Sequence, residues 1–119
     1  DLVPQRGYVI SNADDAGAGD IPSKKVYEDE AVFAFRDIAP QAPMHILVVP
    51  KKHLHGPEAV QEEDESVIGK MVRTAKEIAN TEGFTDYRLV FNNGAGAGQT
   101  VFHLHMHILG GRSLAWPPG

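Results

Sequence analysis

Apolar and polar positions change their period twice along this chain, and each change marks a predicted element. Residues 26–37, VYEDEAVFAFRD, set Val32, Ala34 and Arg36 in alternation with Phe33 and Phe35, around a turn at Glu28 to Glu30. That period of two predicts a β-hairpin. HILVVP, residues 45–50, is a short apolar, β-branched run stopped by proline, as suits a central strand buried on both faces. Between Glu58 and Phe84 the period lengthens, and Ile68, Met71, Val72, Ala75, Ile78 and Ala79 fall on one helical stripe. Acidic EEDE precedes the stripe and Gly83 follows it, so charge complements the helix dipole at one end and a left-handed glycine cap closes the other. YRLVFNN, 87–93, and VFHLHMHIL, 101–109, then read as two strands joined by a glycine-rich loop.

A run of strands with one long helix packed on one face predicts an α+β domain with a mainly antiparallel sheet, its other face open to solvent and available for a site. The stretch SNADDAGAGD, 11–20, is small, polar and acidic. Residues 1–20 are therefore expected to form a poorly ordered arm, and residues 21–119 a single domain.

Charge and composition narrow the function classes. Eleven Lys plus Arg face sixteen Asp plus Glu, for a net charge of −5; no basic field exists to hold a nucleic-acid backbone. With no cysteine, disulfides, thiolate nucleophiles and Cys-type zinc sites are excluded together. No run approaches the roughly 18 apolar residues of a membrane span, and the N-terminal stretch lacks the apolar core of a signal peptide. The expectation is a soluble chain of the cytoplasm, with the nucleus as a second compartment and no membrane or nucleic-acid partner.

Candidate chemistry centres on the last predicted strand. Strand alternation would put His103, His105 and His107 on one face and Leu104, Met106 and Ile108 in the core. A polar face that merely carries histidines is the plain reading of such a strand. A metal site is a second, but the Cα atoms of His103 and His107 would lie roughly 13 Å apart on an extended strand, whereas zinc needs each nitrogen within about 2.1 Å. Two of the three plus His45, from the neighbouring strand, would be an easier ligand set. The third reading is nucleophilic catalysis at phosphorus, in which crowded imidazoles suppress one another's protonation and one stays neutral to attack. Gly94, Gly96 and Gly98, just ahead of Gln99 and Thr100, support it, since such glycines let backbone N–H groups converge on an anion.

The run HLHMHIL, His103 to Leu109, resembles the signature of the histidine triad (HIT) family. RDIAPQAPMHILVVPKKH, the helix, NNGAGAGQTVFHLHMHILGG and the closing WPPG are similar, in order and spacing, to its Hint branch over about five sixths of the chain. The resemblance implies a HIT-like fold, a homodimer, and hydrolysis of purine nucleoside 5′-phosphoramidates through a nucleotidyl-histidine intermediate, with no metal or other cofactor. Carried over by residue, His105 is the nucleophile on the α-phosphorus and His107 contacts the phosphate near the leaving group, while His103 and His45 orient the others. Asp37, with Ile38 beside it, matches the ribose-binding position. Asn92, Gly98, Gln99 and Thr100 match the phosphate-contacting loop, with the Thr100 hydroxyl helping to protonate the leaving amine. Met106 joins His105 and His107 in the implied nucleotide-binding set, and Trp116 matches a residue that reaches the partner subunit's site.

One departure stands out. Where the branch carries I-F-x-K-I ahead of E-I-P, an ungapped alignment on GDIPSKK puts Ala13 and Ala16 at the base-pocket positions. A shallower pocket, one filled by Tyr8 or Ile10, or an unused one would follow. Two other activities stay open: cleavage of dinucleoside polyphosphates, and a zinc- or nucleotide-binding interaction module without significant catalysis. The basic KKH, 51–53, is a candidate contact for the substrate's anionic end or for the acidic surface of a lysyl-tRNA synthetase, a partner of some Hint proteins.

Overall fold

The computed structural model describes residues 24–119; the expected arm, 1–20, and with it Tyr8, Ile10, Ala13 and Ala16, lies outside them. Strands β1 (Lys25–Glu28), β2 (Val32–Arg36) and β3 (Met44–Pro50) precede helix α1 (Glu65–Thr81), and β4 (Tyr87–Phe91) and β5 (Met106–Gly110) follow it. They form one five-stranded antiparallel sheet in the order β1-β2-β3-β5-β4. The fold is α+β, a sheet with one long helix against it.

β3 lies at the centre, and all seven of its residues are buried, as the uninterrupted apolar run predicts. Alternation sorts the side chains of the inner strands into two layers. Val32, Ala34, Met44, Ile46, Val48, Met106 and Ile108 join Met71, Ala75, Ile78 and Ala79 of α1 in one core cluster. The opposite face is not the open surface expected of it: Phe33, Phe35, Leu47 and Val49 form a second buried cluster with Val101.

α1 begins after a 3-10 turn at Glu62–Asp64, so three of the four acidic residues stand ahead of the helix and Glu65 alone lies in its first turn. Asp64, 2% exposed, accepts hydrogen bonds from the Gln61 N–H at 2.9 Å and the Lys52 ammonium at 2.6 Å. The lysine beside it holds its pKa below the ordinary carboxylate range. The helix's buried positions are Met71, Thr74, Ala75, Ile78 and Ala79; Val72, placed on the stripe from sequence, is 43% exposed, because the buried arc is shifted to take in Thr74, one turn after Met71 and one turn before Ile78. At the other end Gly83 adopts φ +89. Its N–H donates to Asn80 O and that of Phe84 to Ala79 O, the paired bonds that close a glycine-capped helix.

The largest difference from the sequence reading is at 101–109. Only Met106–Gly110 pairs as a strand; residues 101–105 run as bends and coil before it. The alternation argument therefore holds for Met106 to Ile108 and fails for His103 and His105.

Candidate active site

His45 and His107 come from adjacent strands, with His45 opposite Leu109 and His107 opposite Leu47. They are diagonal neighbours on the face turned from α1. His45 Nε2 lies 2.8 Å from His107 Nδ1 and 3.4 Å from Asp37 Oδ2. His105, delivered by the coil before β5, stands T-shaped to His107 with ring centroids 5.1 Å apart. These three imidazoles and Asp37 line a cavity of about 350 Å³, together with Gln41, Asn92, Gly98, Thr100 and Val101. A second cavity of about 400 Å³ shares Asp37 and His45 with it and continues past Ile38, Lys24 and Arg36. Another, of about 370 Å³, lies between β1 and α1 against Tyr27 and Glu77; it holds no imidazole, so the chemistry sits elsewhere.

The ring protons follow from partners that can act in only one sense. The Gln41 backbone N–H donates to His45 Nδ1 at 3.0 Å, so the His45 proton sits on Nε2 and is donated to His107 Nδ1. His107 must then carry its own proton on Nε2. For His105, Nδ1 donates to the backbone carbonyl of His103 at 2.7 Å, which in the neutral ring puts the lone pair on Nε2. Neutral His105 and His107 thus carry opposite tautomers, the first with Nε2 free of a proton and the second with Nε2 protonated, on two rings that line one cavity. His107 is held neutral, its pKa lowered to about 4, first by burial and then by the neighbouring His105 and His45 rings, against the opposing pull of Asp37. Burial lowers His45 as well, with Asp37 again opposing.

His103 does not line the cavity. Fully buried, it donates from Nε2 to Pro50 O at 2.9 Å, and its Nδ1 meets His53 Nδ1 at 3.2 Å. It serves the site through its main-chain carbonyl, which fixes the tautomer of His105.

Of the other residues singled out from sequence, Asp37, Asn92, Gly98 and Thr100 line the cavity, and Ile38, 50% exposed, lines the adjoining one. Asp37 Oδ1 accepts the Ala39 N–H at 2.8 Å, leaving Oδ2 toward His45 and the cavity. Met106 is a correction: its side chain is 0% exposed in the core cluster under α1, so it cannot reach a nucleotide. Gln99 is a second, because it is 3% exposed and both ends of its carboxamide are engaged away from the cavity. The expected convergence of loop amides is a third. The N–H groups of Gly94, Ala97, Gly98 and Gln99 all donate within the loop, which winds a 3-10 turn at Ala95–Ala97 and leaves it through Gly98 at φ +97. Asn92 and Thr100, beside the loop, line the cavity and bring polar side chains to it. Trp116, 82% exposed, lies beyond β5.

The KKH patch is electrostatically balanced. Lys51 pairs with Glu28 at 2.7 Å, and Lys52 with Asp64 at 2.6 Å and Glu63 at 3.3 Å. Sequence reasoning missed Gln41, whose contribution is a main-chain N–H that any residue but proline carries, and placed His53 in the basic KKH without its contact to His103, which spans fifty positions.

Among the described residues, a cation could be held only by Asp37, His45 and His107, whose ligand atoms lie within 4.8 Å of one another. This differs from the set expected from sequence, since only one triad histidine takes part. The donor chemistry does not fit: with Gln41 donating to Nδ1, His45 Nε2 carries the ring's proton, and ligation there would require breaking the Gln41 bond or forming an imidazolate.

With the cavity, the histidines and the sheet in place, the family model described as HIT domain matches residues 18–114. The chain belongs to the HIT family. An uncharacterised HIT-like protein of Synechococcus elongatus is 54% identical over 101 residues, covering 84% of this chain and 89% of that one. The crystal structure of a HIT family hydrolase from Legionella pneumophila superposes with a TM-score of 0.81 at 46% identity, covering 88% of this chain and 96% of the other. A HIT family hydrolase from Clostridium thermocellum gives 0.78 at 39% identity, over 85% and 90% of the two chains. Among the described residues of this HIT chain, no helix is long and apolar enough to cross a membrane.

Proposed function

We propose that this protein is a nucleotide-binding hydrolase that cleaves the P–N bond of purine nucleoside 5′-phosphoramidates by two in-line displacements. The observation that carries the reading is the pairing of a lone pair on His105 Nε2, enforced by the His103 carbonyl, with the Nε2–H of neutral His107 on the same cavity. Nucleophile and hydrogen-bond donor are both preset before substrate arrives. Hydrolase neighbours of the same fold support the general class.

In the first step His105 Nε2 bonds to the α-phosphorus as the P–N bond breaks. The resulting phosphoimidazolium keeps its Nδ1–H on the His103 carbonyl. The leaving nitrogen departs as amine after protonation at the water-exposed mouth, where the hydroxyl of exposed Thr100 relays the proton. His107 donates from Nε2 to the phosphoryl group and retains its proton, since a neutral imidazole is too weak an acid to surrender it. In the second step water attacks phosphorus, His105 Nε2 leaves with its lone pair restored, and the surplus proton passes to solvent. Asn92 and Thr100 carry the anion-facing hydrogen bonds. Asp37 Oδ2 and Ile38 receive the ribose in the adjoining cavity.

The proposal includes a homodimer in which Trp116 approaches the partner's cavity, and a cytoplasmic setting. The deciding experiment is AMP release from adenosine 5′-phosphoramidate by chelator-treated protein. Wild type should turn over and accumulate a trappable nucleotidylated form; His105→Ala should lose both. Faster turnover of a diadenosine polyphosphate would replace this reading with the polyphosphate one, and activity that returned only with zinc would replace it with a metal site.

A further inference from the structure

Behind the cavity wall, one buried carboxamide ties three segments together. Gln99 Oε1 accepts the Gly94 N–H at 2.8 Å, while Nε2 donates to His55 O at 2.8 Å and to Val101 O at 3.2 Å. The residue's own N–H closes the loop on Gly94 O at 3.0 Å. Both amide donors are thus committed, and the side chain is 3% exposed. The residues on either side of it, Gly98 and Thr100, line the cavity.

The space around this carboxamide has no slack. A Cβ built on Gly56 would lie 3.0 Å from Gln99 Oε1, 3.1 Å from Nε2 and 3.3 Å from Asn93 Oδ1. Asn93 cannot yield freely, because that oxygen accepts the Glu58 N–H at 2.8 Å. Gly56 itself has φ −178 and ψ −174, extended backbone open to any residue, so its glycine answers to the nearness of Gln99 and not to its own conformation.

We infer that Gln99 is a positioning residue: from behind the wall, its carboxamide sets the place of the Thr100 hydroxyl and the Gly98 backbone at the cavity without touching the substrate. The reaction it serves is the one proposed above, but the placement can be read without turnover. A group held off its productive position by about 1 Å costs on the order of a hundredfold in rate, and precision of this kind comes from a supporting shell of locked hydrogen bonds.

The test uses the full chain carrying Gln99→Ala, Gly56→Ala and both together. Gly56→Ala leaves every hydrogen-bonding group in place and lies outside the cavity, so it presses first on the Gln99 carboxamide and less closely on Asn93 Oδ1; Gln99→Met, of similar volume, replaces Gln99→Ala if that variant does not fold. Each single variant should lower kcat about 10- to 100-fold with KM and AMP affinity within about threefold. The double variant should be no slower than the slower single one, because the alanine methyl then has no carboxamide to displace. The amide signals of Gly98 and Thr100 in ligand-free protein should shift or broaden in both singles. Multiplicative losses in the double, or a loss of AMP affinity in Gln99→Ala that adenosine does not share, would overturn the inference in favour of direct phosphate contact. Unmoved Gly98 and Thr100 signals would overturn it as well. If wild type does not hydrolyse the phosphoramidate, the proposed reaction fails, while the amide signals still decide whether Gln99 places these two residues.

Discussion

Two pairs of histidines make nearly the same contact in this protein and lead to opposite ends. His45 and His107 meet at 2.8 Å with rings 44° apart; His53 and His103 meet at 3.2 Å with rings at 88°. In the first pair a backbone N–H from Gln41 supplies the outer contact, and the chain of donors runs on to His107, which lines the cavity with its Nε2 protonated. In the second, His103 ends on the carbonyl of Pro50, and the donor is consumed inside the protein. Whether a backbone donor or a backbone acceptor terminates the pair decides whether the imidazoles face a ligand or brace a loop.

The strongest way to break this comparison is to truncate one member of each pair. His107→Ala should lower turnover by about 10² to 10³ through loss of a preset hydrogen-bond donor, with the fold retained, because the ring lies at a cavity wall. His53→Ala, exposed and away from the cavity, should stay within about threefold of wild type. Steady-state kinetics on adenosine 5′-phosphoramidate, with melting curves as control, compares the two; equal losses would remove the distinction drawn here.

Acid should act on both pairs through stability. His103 is lowered to about 4, first by burial with its bond to Pro50 O opposing, and His107 is lowered likewise, whereas both titrate near 6.5 once unfolded. The unfolded chain therefore binds more protons between these values. The stabilisation from keeping them neutral is complete above about pH 6.5 and is lost as pH falls toward 4, on the order of a few kcal/mol in all. Thermal melts across this window should show Tm falling with acid, and His103→Asn should flatten the slope while lowering Tm at pH 7, because it breaks a fully buried contact. A pH-independent Tm would contradict the burial argument.

The smallest perturbation sharpens the comparison most. Nitrogen-15 spectra of the imidazoles at pH 7 should show Nε2 protonated in His45, His103 and His107, and Nδ1 protonated in His105. A protonated Nε2 on His105 would deny it the lone pair on which the mechanism depends.

Much of the fold was legible because its signals are periodic. The apolar run of β3, the alternation in β2 and the stripe on α1 each report a face that must be buried, and the glycine after the helix reports the left-handed cap. Val72 shows the limit: an apolar residue beside a stripe can face water if a polar one, here Thr74, packs better. The histidine segment shows a deeper limit. HLHMHIL has a strand's alternation, yet pairing begins only at Met106, because the chain ahead of it descends through the second core cluster, with Val101 packed there and the Leu104 N–H donated to Leu54 O. Resemblance named Asp37, Asn92, Thr100 and the triad, but it could not say which way the side chain of Gln99 would turn.

The sequence by itself determined that these histidines would be crowded, that no thiol would share their work, and that a glycine-bearing loop would stand beside them. Those are consequences of residue identity and near spacing. Only the tertiary structure decided which nitrogen of each ring holds a proton, since that depends on where main-chain groups of Gln41, Pro50 and His103 stand: Pro50 comes from β3 to reach His103, and Gln41 and His103 are folded back onto His45 and His105 a few residues away. A backbone N–H or C=O is the same in nearly every residue; its place in space is what gives it a role.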